Sequence, residues 1–411
     1  MELKIRDEYT YFIHTFIVKE NKYIKYLNKL LRDERFKLKV FRDDVDEDLY
    51  SHFLPKIKSF LFKSFDFSDE ALRRLDKLPI DTRAALLAEF PSLTFEYNLD
   101  EEIQGKADDE KSLFFKIKKM GVVLFNTGIG FLYIKTNIEN SNSFSDLLDF
   151  NNKFRDINGS SNEKNKYEDI KIQANSFDDV VALKDFIHEI SGPDVDALKF
   201  DLDIEKFYTY SYACVDEGVW NENVGFEGVK EEFDKFINIL PSNSNLDASQ
   251  YKDLKTVSYG KFSKMGMSKL GINLFCSEVD KNNYTIIPNN FERKYFYTYI
   301  LALYFKVYLK KIDYEFRCSS NIVKVRKKFV YFTKNLKIQE ITTDDVGSSI
   351  YREMKEVLEI EKIYADVKNK YDILYRESKL EKTEKSYSKL FLLLMITLVL
   401  NIINVLILHF K

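Results

Sequence analysis

The stretch LFLLLMITLVLNIINVLILHF, from Leu390 to Phe410, contains no Lys, Arg, Asp or Glu. As an α-helix it rises about 31 Å, the thickness of the hydrocarbon core of a bilayer. It therefore predicts a single transmembrane helix at the C-terminal end. Inside it Thr397, Asn401 and Asn404 stand at i, i+4 and i+7, which puts all three on one face. A threonine hydroxyl can bond back to its own preceding turn, but an asparagine amide in hydrocarbon needs a partner on another helix. Each such interhelical bond contributes about 0.6–2 kcal/mol. Two outcomes follow: plain association of helices, or a ring of helices whose amides line a narrow aqueous path.

Immediately upstream the charge pattern orients the span. Arg376, Lys379, Lys382, Lys385 and Lys389 crowd the near side, against Lys411 alone on the far side. Positive residues remain inside, so the reading is a single-pass, tail-anchored protein of the inner (cytoplasmic) membrane with its bulk in the cytoplasm. Thr342-Thr-Asp-Asp345 is a capping sequence for a helix running toward the membrane. Along it Val357, Ile360, Tyr364, Val367, Tyr371 and Leu374 recur at three- and four-residue steps, the seam of a coiled coil or bundle stalk. A charged neck, SKLEKTEKSYSK (378–389), then joins the stalk to the span. Extending the heptad places Asn401 and Asn404 off the a and d positions.

The remainder reads as mixed α/β (α+β). Residues 1–110 are expected to be mainly helical, with buried-face spacing in NKYIKYLNKLLRDERF (21–36). Residues 111–290 form an α/β sensing domain. There, two β-rich runs flank Asn126-Thr-Gly-Ile-Gly130 as a hairpin, and FYTYSYACVDE (207–217) and TVSYGKFSKMGMSKLGINLFCSEV (256–279) are further sheet. Ser143 and Ser176 cap helices on either side of the loop GSSNEKNK (159–166), and SNSNLDAS (242–249) is a loop by composition. Residues 291–341 hold buried helices: FERKYFYTYILALYFKVYLKKIDYEF (291–316) is apolar nearly all round, and its lysines argue against a second span. Residues 342–389 are the stalk and neck, and 390–410 the transmembrane helix.

Composition excludes more than it selects. The 411 residues carry 63 basic and 66 acidic side chains, a balance that does not call for direct nucleic-acid binding. Cys214, Cys276 and Cys318 match no metal-ligand spacing and read as reduced thiols. The start, MELKIRDEYTYFIHTFIVKE, has charges among its apolar residues and is not read as a secretory signal. Gly128-Ile-Gly130 lacks the following helix that would make it a nucleotide fingerprint, so a tight turn is expected. His188-Glu189 lacks the second histidine of a zinc-protease helix, and the histidines at 14, 52, 188 and 409 assemble no metal site by spacing. Asp43-Asp44-Val45-Asp46-Glu47-Asp48 supplies hard oxygen ligands without the glycine of a calcium loop, and reads as a solvated helix-start cluster. No catalytic constellation, no cofactor and no metal ligand can be named, and an enzyme is not expected.

The order of these features resembles CorA-type divalent-cation transporters. In particular it is similar to the divergent CorA-like proteins of bacterial defence loci, including those beside type III CRISPR systems. The residues that carry the resemblance are Val123-Leu-Phe-Asn-Thr-Gly-Ile-Gly-Phe-Leu132, Tyr208-Thr-Tyr210, Tyr295-Phe-Tyr-Thr-Tyr-Ile-Leu-Ala-Leu-Tyr304, Ile338-Gln-Glu-Ile341, Ile350-Tyr351 and Ile360-Glu-Lys-Ile-Tyr364. It implies a homo-oligomeric, pentameric funnel in membrane lipid, whose cytoplasmic domains bind a nucleotide second messenger and open the membrane in antiviral defence. The chain departs from the pattern in having no second span and no Gly-Met-Asn-type loop after the first; Gly271-Ile-Asn273 lies far upstream. Those departures weigh against Mg2+ transport, since the loop forms the ion entrance of the transporters.

The expectation is thus a membrane-anchored, homo-oligomeric, channel-like effector whose cytoplasmic part senses a signal at a site the sequence does not locate. One alternative is a tail-anchored, non-conducting scaffold. Another is a divalent-cation transporter.

Overall fold

The Asn126–Gly130 turn is where sequence and backbone geometry meet most directly. Gly128 has φ +83°, a conformation that L side chains avoid, and its carbonyl accepts the Val18 N–H at 2.7 Å. A Cβ here would collide with the Val18 carbonyl. The turn closes the expected hairpin and fastens it to the first strand of the chain.

The computed structural model describes residues 3–99, 103–108, 113–157, 170–173, 180–192, 195–196, 206–245, 254–319 and 321–409, with side chains to 403 except for a few positions. The loop at 159–166 and the cap at Ser176 lie outside the described residues. Among those described are thirteen strands: β1 (Ile5–Val18), β2 (Phe36–Leu38), β3 (Ser92–Tyr97), β4 (Ile103–Asp108), β5 (Leu113–Phe125), β6 (Ile129–Ile138), β7 (Lys171–Gln173), β8 (Val181–Ala182), β9 (Val195–Asp196), β10 (Tyr208–Val215), β11 (Lys255–Gly260), β12 (Ser263–Met267) and β13 (Gly271–Ser277). They form one sheet in the order β11-β12-β13-β10-β1-β6-β5-β4-β7-β8, with β3 pairing to β5, β2 to β3 and β9 to β1. The pairing of β10 with β13 is parallel and the others are antiparallel.

The expectation that residues 1–110 are mainly helical does not include the first strand. Helices do occur there, at Tyr23–Arg32, Glu47–His52, Pro55–Leu61, Asp69–Asp76 and Ile80–Leu87, but β1 sits centrally in the sheet between β10 and β6. The reason is burial on both faces, which removes the polar alternation of a half-exposed strand. One face places Phe12 against Phe154 of the helix Phe144–Arg155, with ring centroids 4.2 Å apart. The other places Tyr11 against Phe296, 4.8 Å apart, on the helix Phe296–Cys318. That helix is buried nearly all round through Tyr299, Ile300, Leu301 and Leu303, as its composition predicts.

By contact density the chain divides into Met1–Lys310 with Ile338–Ile360, and Lys311–Lys337 with Glu361–Lys411. The first unit holds the sheet. The second is helical: Ile322–Tyr331 packs on the early turns of the terminal helix Ile360–His409, with Phe329 against Tyr364 at 5.5 Å and Tyr371 at 5.2 Å. Asp313 pairs with Lys370 and Arg317, and Lys328 with Glu315 at 2.9 Å.

A second correction concerns the helix opened at Thr342. It spans Asp345–Val357, capped by Asp344 rather than by threonine, and stops at Leu358. Glu359, with φ +55°, turns the chain before the terminal helix begins at Ile360. The three- and four-residue spacing runs through this break because nothing in it requires glycine or proline. The charged neck is helical and continuous with the apolar segment that follows.

Candidate functional site

The long core helix begins with a π-turn, Phe291–Tyr295, and its consecutive side chains take separate roles. Such turns add a residue to the helical cycle and often mark functional positions. Glu292 points to the sheet, accepting from Tyr11 at 2.5 Å and Lys135 at 2.8 Å. Burial works to raise its carboxyl, but the Lys135 ammonium and the Tyr11 hydroxyl outweigh it and hold the group below the usual range. Arg293 bridges to Asp48 at 2.7 and 2.8 Å and to buried Asp46 at 2.7 Å. The acidic run is therefore more than solvated charge: Asp46 and Asp48 clamp the helix Glu47–His52 to the π-turn, while Asp43 and Asp44 stay exposed.

Lys294 faces a different space. With His52, Tyr259, Asn290, Tyr295 and Asp344 it lines a polar cavity of about 370 Å³. Tyr295 donates a long hydrogen bond to the Tyr259 hydroxyl at 3.4 Å, with their rings nearly perpendicular. His52 is buried; its Nδ1 lies 3.5 Å from Thr342 Oγ1, and its Nε2 is enclosed without a partner. Desolvation, followed by the Lys294 charge, pushes the imidazole down to about 4, against the pull of Asp344 and Asp48, so it is neutral at physiological pH. Asp344 caps the helix Asp345–Val357 by accepting the Gly347 N–H at 2.8 Å. Among the described residues neither the Lys294 ammonium nor the Asp344 carboxylate forms an ion pair. No three His, Cys, Asp or Glu side chains converge as metal ligands among the described residues.

Of the residues singled out in the sequence, Thr397 and Asn401 lie on the exposed part of the terminal helix. Thr397 Oγ1 donates to the Leu394 carbonyl at 2.8 Å, so the hydroxyl is satisfied within its own turn. Asn404 is helical, and its side chain lies outside the described residues. Along the seam, Val357, Ile360 and Val367 are buried. Tyr364 and Tyr371 meet Phe329 of the same chain, and Leu374 is half-buried. Sequence reasoning missed His52, Tyr259 and Lys294 and saw Asp344 only as part of a cap. One signal was available: three consecutive charges, Glu292-Arg293-Lys294, at the entry of an otherwise apolar helix.

The segment Thr383–Ile403 of the terminal helix has mean hydropathy 1.9 and is wholly exposed. Twelve large apolar side chains between Leu390 and Ile403 each expose between 45% and 67% of their surface. Fold and site together define a class: a mixed α/β protein that carries one C-terminal helix long and apolar enough to cross a membrane. No family model, curated protein or solved structure matches the chain.

Proposed function

We propose that the chain is a membrane-anchored, homo-oligomeric effector. Its α/β unit senses a small molecule, and its terminal helices form or disrupt a membrane path. The observation that carries the reading is the exposed apolar surface of Thr383–Ile403. Moving twelve such side chains out of water is favourable by on the order of 20 kcal/mol, far more than a folded domain can leave unused. The basic neck supports a cytoplasmic bulk. Because Thr397 bonds to its own turn, the amides of Asn401 and Asn404 are the groups that need a neighbouring helix. The resemblance to CorA-like defence proteins suggests an oligomer of about five copies gated by a nucleotide, although the sensing role requires only some small ligand.

The test is ion flux from vesicles carrying the reconstituted chain, together with its oligomeric state in detergent. Five or more copies and a flux abolished by Asn401→Leu with Asn404→Leu would sustain the reading. A dimer with no flux in any condition would replace it with a tail-anchored scaffold. That second reading is favoured by the packing of Tyr364 and Tyr371 inside the chain, which occupies part of the seam a stalk would use. Magnesium entry in the same vesicles would support the transporter.

A further inference from the structure

The polar cavity is unusual in bearing one full charge of each sign, Lys294 and Asp344, without pairing them. Arg293 and its partners Asp46 and Asp48 stand outside the lining, and His52 is uncharged near neutrality, so the charges of the lining residues sum to zero while remaining dipolar. A simple anion entering would gain Lys294 and meet Asp344; a simple cation would meet the reverse. A ligand carrying both charges satisfies both walls and replaces their hydration at once. One further feature fits a polar, amino-acid-like head: Asn290 lines the same space. The volume of about 370 Å³ is within the ordinary range of ligand sites and leaves room for a side chain beside Tyr259 and Tyr295.

We propose that this cavity binds a small zwitterion headed by an α-amino acid, its carboxylate on Lys294 and its ammonium on Asp344. The ligand then bears on the N-terminus of the helix Asp345–Val357, which the chain follows, after two residues, with the apolar terminal helix. The proposal rests on reading the α/β unit as a sensing domain, but its test needs no membrane readout.

The full chain in detergent micelles is titrated with each of the twenty L-amino acids, inorganic phosphate and AMP, following heat of binding and thermal unfolding. At least one amino acid should bind, and its N-acetyl and methyl-ester derivatives should each bind about tenfold more weakly or worse. Lys294→Gln and Asp344→Asn should have the same effect. Asparagine keeps the capping oxygen, so the unliganded melting temperature of Asp344→Asn should stay near that of the parent. Binding by none of the amino acids, binding of phosphate or AMP in their place, or full affinity in both variants overturns the proposal. The Asn401→Leu with Asn404→Leu protein should bind the ligand normally, so a failure here and a failure of the membrane reading are separable.

Discussion

Polar groups in the sheet-bearing unit and in the terminal helix are treated in opposite ways. Around the π-turn, Glu292 has Lys135 and Tyr11, Arg293 has Asp46 and Asp48, and the Tyr210 hydroxyl donates to the Phe291 carbonyl at 2.6 Å. In the terminal helix Asn401 stands exposed among leucines and isoleucines. A polar group whose partners are all supplied by its own chain holds the fold together. One that is set in apolar surroundings and lacks a partner within the chain is addressed to something else. Lys294 and Asp344 stand between the two: they line a polar cavity, and Asp344 caps its helix, but neither charge forms an ion pair among the described residues, although Lys294 directly follows Arg293.

The comparison breaks most visibly if a clamp residue is removed. Arg293→Met leaves Asp46 buried and unpaired, which should destabilise the folded unit by about 3–5 kcal/mol. Chemical denaturation of the detergent-solubilised chain reads this directly. Adding Asp46→Asn should recover part of the loss, because the uncompensated charge goes with it. A cost under about 1 kcal/mol would place the clamp with surface ion pairs and remove the contrast.

Asn401→Leu with Asn404→Leu is the reciprocal change. The sheet-bearing unit should melt as before, and the oligomer should loosen by about 0.6–2 kcal/mol for each amide bond lost. Dilution in micelles, followed by cross-linking or light scattering, measures this. A lowered melting temperature of the α/β unit would show that these amides have a partner within the chain.

What could be read in the sequence was whatever is written locally. The hairpin at Asn126–Gly130 follows from a glycine that must take positive φ. The helix Phe296–Cys318 and the apolar terminal segment follow from long uninterrupted hydropathy. The strand β1 was missed because burial on both faces leaves YTYFIHTFIV without the alternation that betrays a strand. The cavity was missed for a different reason: its walls come from residues near 51, 259, 290 and 343, and only the folded sheet brings them together. The partner of Asp46 and Asp48 is likewise some 245 positions away. The stop at Leu358 had no punctuation at all.

Glu8 tests the satisfied side of the comparison with a smaller effect. It is buried, accepts the Ile138 N–H at 2.6 Å, and has its carboxyl pushed up to about 8, first by burial and further by Asp7, against the Ile138 bond and Lys135. The fold therefore holds a proton that the unfolded chain releases near 4.5. Below that value both states are protonated and stability is full. As pH rises toward about 8 stability should fall, at up to about 1.4 kcal/mol per unit, and level off above it. Glu8→Gln keeps the acceptor and cannot ionise, so melting temperatures compared at pH 6 and pH 8 should differ less in the variant. An equal fall in both proteins would assign the pH dependence to other groups.

The smallest expected effect lies at the joint between the two kinds of region. Glu359 adopts φ +55° after the helix Asp345–Val357, in a position where helices commonly place glycine. A non-glycine residue in that conformation costs about 1–2 kcal/mol, part of which glycine gives back through its greater freedom in the unfolded chain. Glu359 also approaches Lys269 at 3.5 Å, a half-exposed pair that contributes little. Glu359→Gly should accordingly stabilise the folded unit by about 0.5 kcal/mol, seen as a small rise in melting temperature. If ligand in the cavity reaches the membrane through this turn, the same variant should weaken coupling: ligand affinity unchanged, and ligand-dependent ion flux reduced. Unchanged flux with the stability gain intact would make the turn a plain connection, and signal transfer would then have to run by another route than the backbone from Asp344 to Ile360.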